Sequence, residues 1–156
     1  MKSITLVPIG IVHSTRAENE DDNWDTESPS VELDASQFSS RALAGLSDFS
    51  HVEIFFYMDR VSSGEVERGS RHPRGNPDWP QVGIFAQRAK GRPNLIGSTI
   101  CKVLRVEGLS LHVEGLDAID GTPVLDIKPW VKEFGPRGTV FQPRWISELM
   151  RSYWRR

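Results

Sequence analysis

The sequence has little cysteine and no long apolar run. Cys101 is the single cysteine among 156 residues, so no internal disulfide can form and a reducing compartment is expected. As a small apolar residue in a strand-like run, Cys101 is expected in the core and not as a catalytic thiol. The N-terminus carries Pro8 and Gly10 where a signal peptide would have its apolar centre. We therefore predict a cytoplasmic protein with no membrane partner.

The familiar catalytic and metal-binding motifs are also absent. The sequence contains no phosphate-binding glycine loop, no dinucleotide motif and no Ser/His/Asp signature. Its four histidines do not stand at metal-ligand spacing. An acidic run at 21–32 partly matches a calcium loop, but Thr26 stands where that loop requires glycine. No metal ion is expected.

The charge is nearly balanced overall and unevenly distributed along the chain. The formal net charge is −2. Residues 16–34 contain eight acidic residues and one basic residue, whereas residues 65–92 contain six basic and three acidic residues. Such asymmetry can steer a charged partner, or it can reflect two solvated loops of opposite sign. Composition alone leaves both interpretations open.

Short β-branched and apolar runs, separated by glycine and proline, dominate the sequence. They predict a strand pair over 3–14 bent at Pro8–Gly10, and strands at 31–34, 51–58, 82–86, 96–108, 109–116 and 123–127. Helices are predicted over about 35–45, capped by Asp34, and over 144–153. Residues 61–81 are predicted to form a long loop. The predicted elements do not alternate as in repeated βαβ units. Residues 1–156 are therefore predicted to form one mainly β domain, an antiparallel barrel or rolled sheet with one or two helices.

The strand that ends the sheet carries a charged pair. Alternation places Asp126 and Lys128 on one face of this strand with Val124, where the ammonium can orient the carboxylate. The alternative is an ordinary surface ion pair, worth less than about 1 kcal/mol.

Two turns add further candidate groups. The turn at 88–94 gathers three cations with Gly91, which allows close backbone approach, and Asn94, which offers a donor and an acceptor. A polar hairpin connection is its alternative interpretation. The turn at 116–122 contains Asp120–Gly121, a common turn pair, and Asp117, which the turn does not require.

Three motifs stand in a characteristic order: GIFAQR (83–88), RPNLIG (92–97) and LDAIDGTPVLDIKPW (116–130). Together they resemble the TrmO / TsaA-like (YaeB) family of S-adenosylmethionine-dependent methyltransferases. Shorter matches at 8–14 and 49–54 extend the resemblance over about residues 7–131.

This resemblance implies a single-sheeted antiparallel β-barrel enzyme that binds S-adenosyl-L-methionine near the interface of a homodimer. It implies N6-methylation of threonylcarbamoyl-adenosine at position 37 of tRNA. Cofactor contacts carried over by position are Asp59, Arg60, Arg88, Ser98, Leu116, Asp117, Ala118 and Ile119. The residues expected to shape the acceptor pocket and carry catalysis are Arg92, Asn94, Asp126 and Lys128, with Asp126 as a base held by Lys128.

The chain departs from the family pattern in its acidic segment. Residues 23–25 read Asn-Trp-Asp where tRNA-methylating members commonly have Pro-Arg-Gln. An acidic segment disfavours phosphates, since neutralising them supplies much of the affinity for RNA. A methyltransferase with a small-molecule acceptor is therefore one alternative. Another is a non-catalytic S-adenosylmethionine- or RNA-binding module, which the basic stretch 68–92 with Trp79 would suit.

Overall fold

The computed structural model describes residues 2–154. In this range the chain forms eight β-strands and one α-helix, linked by turns of 3-10 helix. The strands are β1 (Gly10–His13), β2 (Ser30–Leu33), β3 (His51–Tyr57), β4 (Ser70–Arg71), β5 (Val82–Gly83), β6 (Ile96–Glu107), β7 (Ser110–Glu114) and β8 (Pro123–Pro129). The helix α1 spans Arg144–Leu149 and continues as a 3-10 turn over Met150–Ser152.

Six of the strands form an antiparallel sheet that closes on itself. Their order is β1-β2-β7-β6-β3-β8, and β8 pairs back with β1 through Gly10 and Val124. Gly10 is required there, because a Cβ at this position would lie 2.2 Å from the carbonyl oxygen of Glu32. The predicted mainly antiparallel β fold is confirmed. Strands β4 and β5 form a separate two-stranded sheet that sequence reasoning missed.

The core fills the inside of this ring. Alternation along β3 buries Val52, Ile54 and Phe56, which are 0–4% exposed, and turns Phe55 and Tyr57 outward. Each buried apolar side chain contributes about 1.5–3 kcal/mol relative to exposure. The fully buried positions of the other strands are Val12, Val31, Cys101, Leu111, Val113 and Val124. The predicted core position of Cys101 is confirmed.

A β-bulge decides which residues of β8 face outward. Phe55 of β3 pairs with Asp126, but Phe56 pairs with Val124, so one residue of β8 has no paired residue on β3. Val124 is therefore buried, while Asp126 and Lys128 lie on the outside of the ring. The predicted common face of Val124 with the charged pair is wrong, because the inserted residue reverses the alternation.

Two predicted strands are much shorter than expected. Only Gly10–His13 of the stretch 3–14 is a strand, and Ile4, Leu6 and Val7 are 58–85% exposed. The strand predicted at 82–86 stops after Gly83 and becomes a 3-10 turn at Ile84–Ala86.

The predicted helix at 35–45 is also wrong. The carboxylate of Asp34 accepts the backbone N–H of Ser36 at 2.9 Å, which forms a local turn and does not start a helix. Short 3-10 turns follow at Ser40–Leu43 and Leu46–Asp48, separated by Gly45 with φ 80°. The C-terminal helix predicted at 144–153 is confirmed. Within residues 2–154, no helix is long and apolar enough to cross a membrane.

Candidate functional site

Asp117 lies just beyond β7, and hydroxyl groups from two distant parts of the chain fix its carboxylate. Thr99 of β6 donates its Oγ1 hydrogen to Oδ1, and Tyr153 near the C-terminus donates its phenol hydrogen to Oδ2. These donors are 18 and 36 residues away in sequence. Thr99 is 7% exposed, so the carboxylate sits at the rim of the core. Its orientation is set by tertiary contacts alone.

The negative charge of Asp117 affects the side chains around it. Burial first, and then the charge of Asp117, raise the pKa of the Tyr153 phenol and of the Cys101 thiol above their ordinary values. Both groups therefore remain protonated at neutral pH. Tyr153 stays a hydrogen-bond donor, and Cys101 is not an activated nucleophile.

The turn at 88–94 meets the turn at 116–120 on a two-residue stretch of β6. Arg88 donates from Nη2 to the carbonyl oxygen of Ser98, and the next residue, Thr99, donates to Asp117. Three of the predicted cofactor residues, Arg88, Ser98 and Asp117, are thus brought together. Thr99 and Tyr153 were missed from the sequence. Nothing local distinguishes these hydroxyls from those of other strand and helix residues.

A second predicted arginine holds the other end of the same turn. Arg60 donates to the carbonyl oxygens of Asp120 at 2.8 Å and Ala17 at 3.0 Å. The carboxylate of Asp120 in turn accepts the backbone N–H of Ser14 at 3.0 Å. Asp59 is exposed, and its side chain makes no hydrogen bond within the part of the chain that the structure describes. Of the adjacent pair, only Arg60 contacts the turn.

The remaining predicted cofactor residues contribute side chains to the core. Leu116, Ala118 and Ile119 are 0%, 3% and 9% exposed. Between residues 2 and 154, the backbone N–H groups of 116–119 donate no hydrogen bond. Any contact of these residues with a ligand would therefore use their backbone, while their side chains anchor the turn.

The outer side of the sheet places Ser98 and Asp126 in one row. Phe55 of β3 pairs with Ser98 on one side and with Asp126 on the other. Two strand spacings separate Ser98 from Asp126, roughly 10 Å. Ser98 and Asp126 thus share one face, which we call the outer face (the outward side of β3, β6 and β8), whereas Thr99, which bonds Asp117, points to the inner side.

Asp126 and Lys128 form the predicted ion pair on this outer face. Lys128 donates to Oδ2 of Asp126, the N–H of Ile127 donates to Oδ1 at 2.9 Å, and the Lys128 ammonium lies 5.8 Å from the Phe55 ring centroid. The two side chains are 48% and 59% exposed. In a single chain this geometry fits an ordinary surface pair, and the catalytic role of both residues stays a prediction.

Arg92 and Asn94 lie in the turn before β6. Arg92 donates from Nη1 to the carbonyl oxygen of Gln87 at 3.0 Å and so holds the turn together. Asn94 is exposed. No hydrogen bond or ion pair joins either residue to Asp126 across residues 2–154. Their predicted role in the acceptor pocket stays a prediction.

The acidic segment is partly neutralised by arginines. Arg74 bonds the carboxylate of Asp22 at 2.9 Å and lies 3.8 Å from that of Asp21. Arg16 covers the ring of Trp24 at 4.2 Å, and Trp24 is 4% exposed. This segment is therefore a packed part of the fold. No group of three or more potential metal ligands occurs in the described range 2–154.

Two shallow depressions lie on the surface of the single chain. One, of about 260 Å³, is lined by residues 64–67, Arg71, Lys90 and Gly91. Another, of about 480 Å³, lies between the 3-10 turns at 42–49 and the end of β8. Neither includes Arg88 or Asp117.

The sheet closes into an antiparallel ring, and the two motif turns meet on one of its strands. These features define a class of small β proteins with a site at the edge of the ring. Within that class, residues 20–135 match the family model described as the tRNA-methyltransferase O N-terminal domain. The chain belongs to this family, as the sequence motifs predicted.

Relatives with this fold carry related names. The human tRNA (adenine(37)-N6)-methyltransferase is 39% identical over 102 residues, which cover 65% of this chain and 23% of the relative. A probable S-adenosyl-L-methionine-binding protein of Pyrococcus abyssi is 33% identical over 85% of this chain and 71% of its own length. The crystal structure of TrmO from Pseudomonas aeruginosa matches with TM-score 0.72 and 28% identity, over 92% of this chain and 62% of that chain. The chain thus spans about a quarter of the human relative.

Proposed function

We propose that this chain is an S-adenosylmethionine-dependent methyltransferase that methylates N6 of threonylcarbamoyl-adenosine at position 37 of tRNA. The observation that carries the proposal is the convergence of Arg88 and Asp117 on Ser98 and Thr99. The names of the relatives support it, since they include a tRNA (adenine(37)-N6)-methyltransferase and probable S-adenosyl-L-methionine-binding proteins.

The donor set at the rim of the ring fits this cofactor. When bound, S-adenosylmethionine supplies a methyl group on a positively charged sulfur. Asp117 offers a fixed negative charge for a cationic ligand, and Arg88 offers planar donors that suit a carboxylate. The free backbone N–H groups of residues 116–119 add donors for the polar edge of an adenine or ribose.

The acceptor is assigned to the outer face. A nitrogen next to a carbamoyl group is a poor nucleophile, so a base that takes its proton assists the transfer. Asp126 is the proposed base, and Lys128 positions its carboxylate. Arg92 and Asn94 are proposed to contact the acceptor. Positioning and exclusion of water contribute up to about 7–11 kcal/mol in favourable cases.

A second copy of the chain is proposed to cover the outer face. Tyr57, Ile96, Ile100 and Leu104 are 37–46% exposed around Ser98. Covering these side chains would enclose a site that a single chain leaves open. Analytical ultracentrifugation of an Ile100→Glu variant should show a weakened dimer. Ile4→Glu, at a residue that is 85% exposed, is the matched control and should change nothing. A monomeric wild type would contradict the dimer.

The internal pairing of the acidic segment favours tRNA over a small acceptor. Arg74 offsets one of the two negative charges of Asp21 and Asp22, so this segment repels phosphate less than its composition predicts. Arg68 and Lys90 are exposed and are proposed to contact phosphates, although the charge of Lys90 also acts on Glu65.

The decisive test is a methyl-transfer assay on total tRNA from a strain lacking the endogenous enzyme, followed by nucleoside mass analysis. We expect one added methyl group on threonylcarbamoyl-adenosine with wild type and a strongly reduced rate of transfer with Asp126→Asn. Methylation of another nucleoside would refute the acceptor assignment. Transfer only to a low-molecular-weight extract would establish the small-molecule alternative. No transfer to either would refute the enzymatic role.

A further inference from the structure

We propose that Tyr153 is a positioning residue of the cofactor site and that the C-terminal segment, residues 144–154, holds Asp117 in its binding orientation. This inference rests on the proposed function and assigns a part of the chain that the family match does not reach. The family model ends at residue 135, whereas Tyr153 donates to a carboxylate inside the matched domain.

The C-terminal segment is anchored at several points along its length. The carbonyl oxygens of Ser152 and Tyr153 accept the backbone N–H groups of Asn23 at 3.0 Å and Trp24 at 2.9 Å. Further back, the indole Nε1 of Trp79 donates to Glu148 at 3.1 Å. These bonds fix the segment immediately beside the phenol that reaches Asp117.

The anchor is itself held by several contacts. Trp24 is 4% exposed and lies beneath the guanidinium of Arg16, which also bonds the carbonyl oxygens of Asp22 and Asn23 at 3.0 and 2.8 Å. Arg74 ties the carboxylate of Asp22 from the other side. The acidic segment therefore serves as a scaffold on which the C-terminal segment docks.

Removing the phenol hydroxyl would change Asp117 without removing its charge. With both donors present, each carboxylate oxygen has one hydroxyl partner. With Thr99 alone, Oδ2 is released and the carboxylate can rotate. A preorganised carboxylate binds a cationic ligand more tightly because its ordering is already complete in the free protein.

The ionisation state of Tyr153 agrees with this role. Burial and the charge of Asp117 raise the pKa of the phenol, while Arg88 and Arg74, the charged groups facing it from neighbouring segments, lower it less. The phenol thus remains a donor throughout the neutral range.

The test compares matched variants by calorimetric titration of the full chain with S-adenosylmethionine. Tyr153→Phe should raise the dissociation constant by about three- to tenfold, the cost of ordering one released side chain when the ligand binds. Ser147→Ala is the control, because it removes a hydroxyl on the same segment that accepts the side-chain amide of Gln142 at 2.9 Å and does not touch Asp117. Its dissociation constant should stay within about twofold of wild type, the level expected when no contact to the ligand changes.

The possible outcomes separate this inference from the proposed function. A wild type that does not bind refutes both. If wild type and Tyr153→Phe bind equally, only the inference fails. Tighter binding by Tyr153→Phe would show that the phenol competes with the ligand. Equal losses in both variants would show that the effect does not come from the bond to Asp117. Either result overturns the inference.

A second readout needs no ligand. In a Tyr57→Phe background Tyr153 is the one remaining tyrosine, since the chain has two. Ultraviolet titration should then show phenol ionisation at lower pH after Asp117→Asn. An unchanged titration would contradict the contact.

Discussion

Two carboxylates at the site, Asp117 and Asp126, are held in different ways. Asp117 is fixed by hydroxyls 18 and 36 residues away, at the rim of the core. Asp126 is held by Lys128 two residues on and by its neighbour's N–H, on a surface about half exposed. A carboxylate fixed by tertiary contacts suits binding of a ligand. One held locally and left accessible suits proton transfer.

The largest expected effect comes from replacing Asp126. Asp126→Asn should lower kcat by roughly 10²–10⁴-fold, as loss of a general base does, and leave the affinity for S-adenosylmethionine within about twofold. Steady-state kinetics and calorimetry measure the two quantities. Asp48→Asn, an exposed carboxylate outside the site, is the control. Equal losses of turnover and cofactor affinity would mean that both carboxylates serve binding.

A smaller effect is expected on the free energy of unfolding. Thr99→Val leaves one oxygen of Asp117 without its buried partner and should lower the free energy of unfolding by about 1–3 kcal/mol. Lys128→Met removes an exposed ion pair and should change it by less than about 1 kcal/mol. Urea denaturation of both variants measures the difference. If both variants lose the same free energy of unfolding, the difference in exposure between Asp117 and Asp126 has no effect on their contributions to stability.

A third effect is confined to alkaline pH and is absent at neutral pH. The ordinary pKa of tyrosine is 10.0, and that of Tyr153 is raised in the folded chain by burial and Asp117. Below pH 10 both the folded and unfolded chains keep the proton, so this contribution is fully present. Above it the unfolded chain ionises first, and stability should fall by about 1.4 kcal/mol per pH unit. Thermal melting at several pH values from 9 to 11.5 should show a smaller loss of stability with pH for Tyr153→Phe than for wild type. Parallel curves would contradict the raised pKa.

The same comparison shows what the sequence can predict. The pairing of Asp126 with Lys128 followed from strand alternation, because both residues belong to one element. Even there the bulge reversed the position of Val124, since an inserted residue depends on the partner strand and leaves no local signal.

The partners of Asp117 could not be predicted from local patterns. Tyr153 stands at helical spacing with apolar residues, and that pattern indicates packing without revealing that its hydroxyl reaches Asp117. The prediction that Arg88 and Asp117 belong to one site depended on the family resemblance alone. Their meeting on Ser98 and Thr99 depends on the closure of the sheet, which pairs residues far apart in the chain.

The most direct measurement is calorimetric titration with S-adenosylmethionine of wild type, Arg88→Gln and Asp126→Asn. If the turns at 88–94 and 116–120 form one cofactor site, wild type and Asp126→Asn bind alike and Arg88→Gln binds about tenfold or more weakly, the loss expected for a charged hydrogen bond. Absence of binding by wild type, or undiminished binding by Arg88→Gln, would contradict the account.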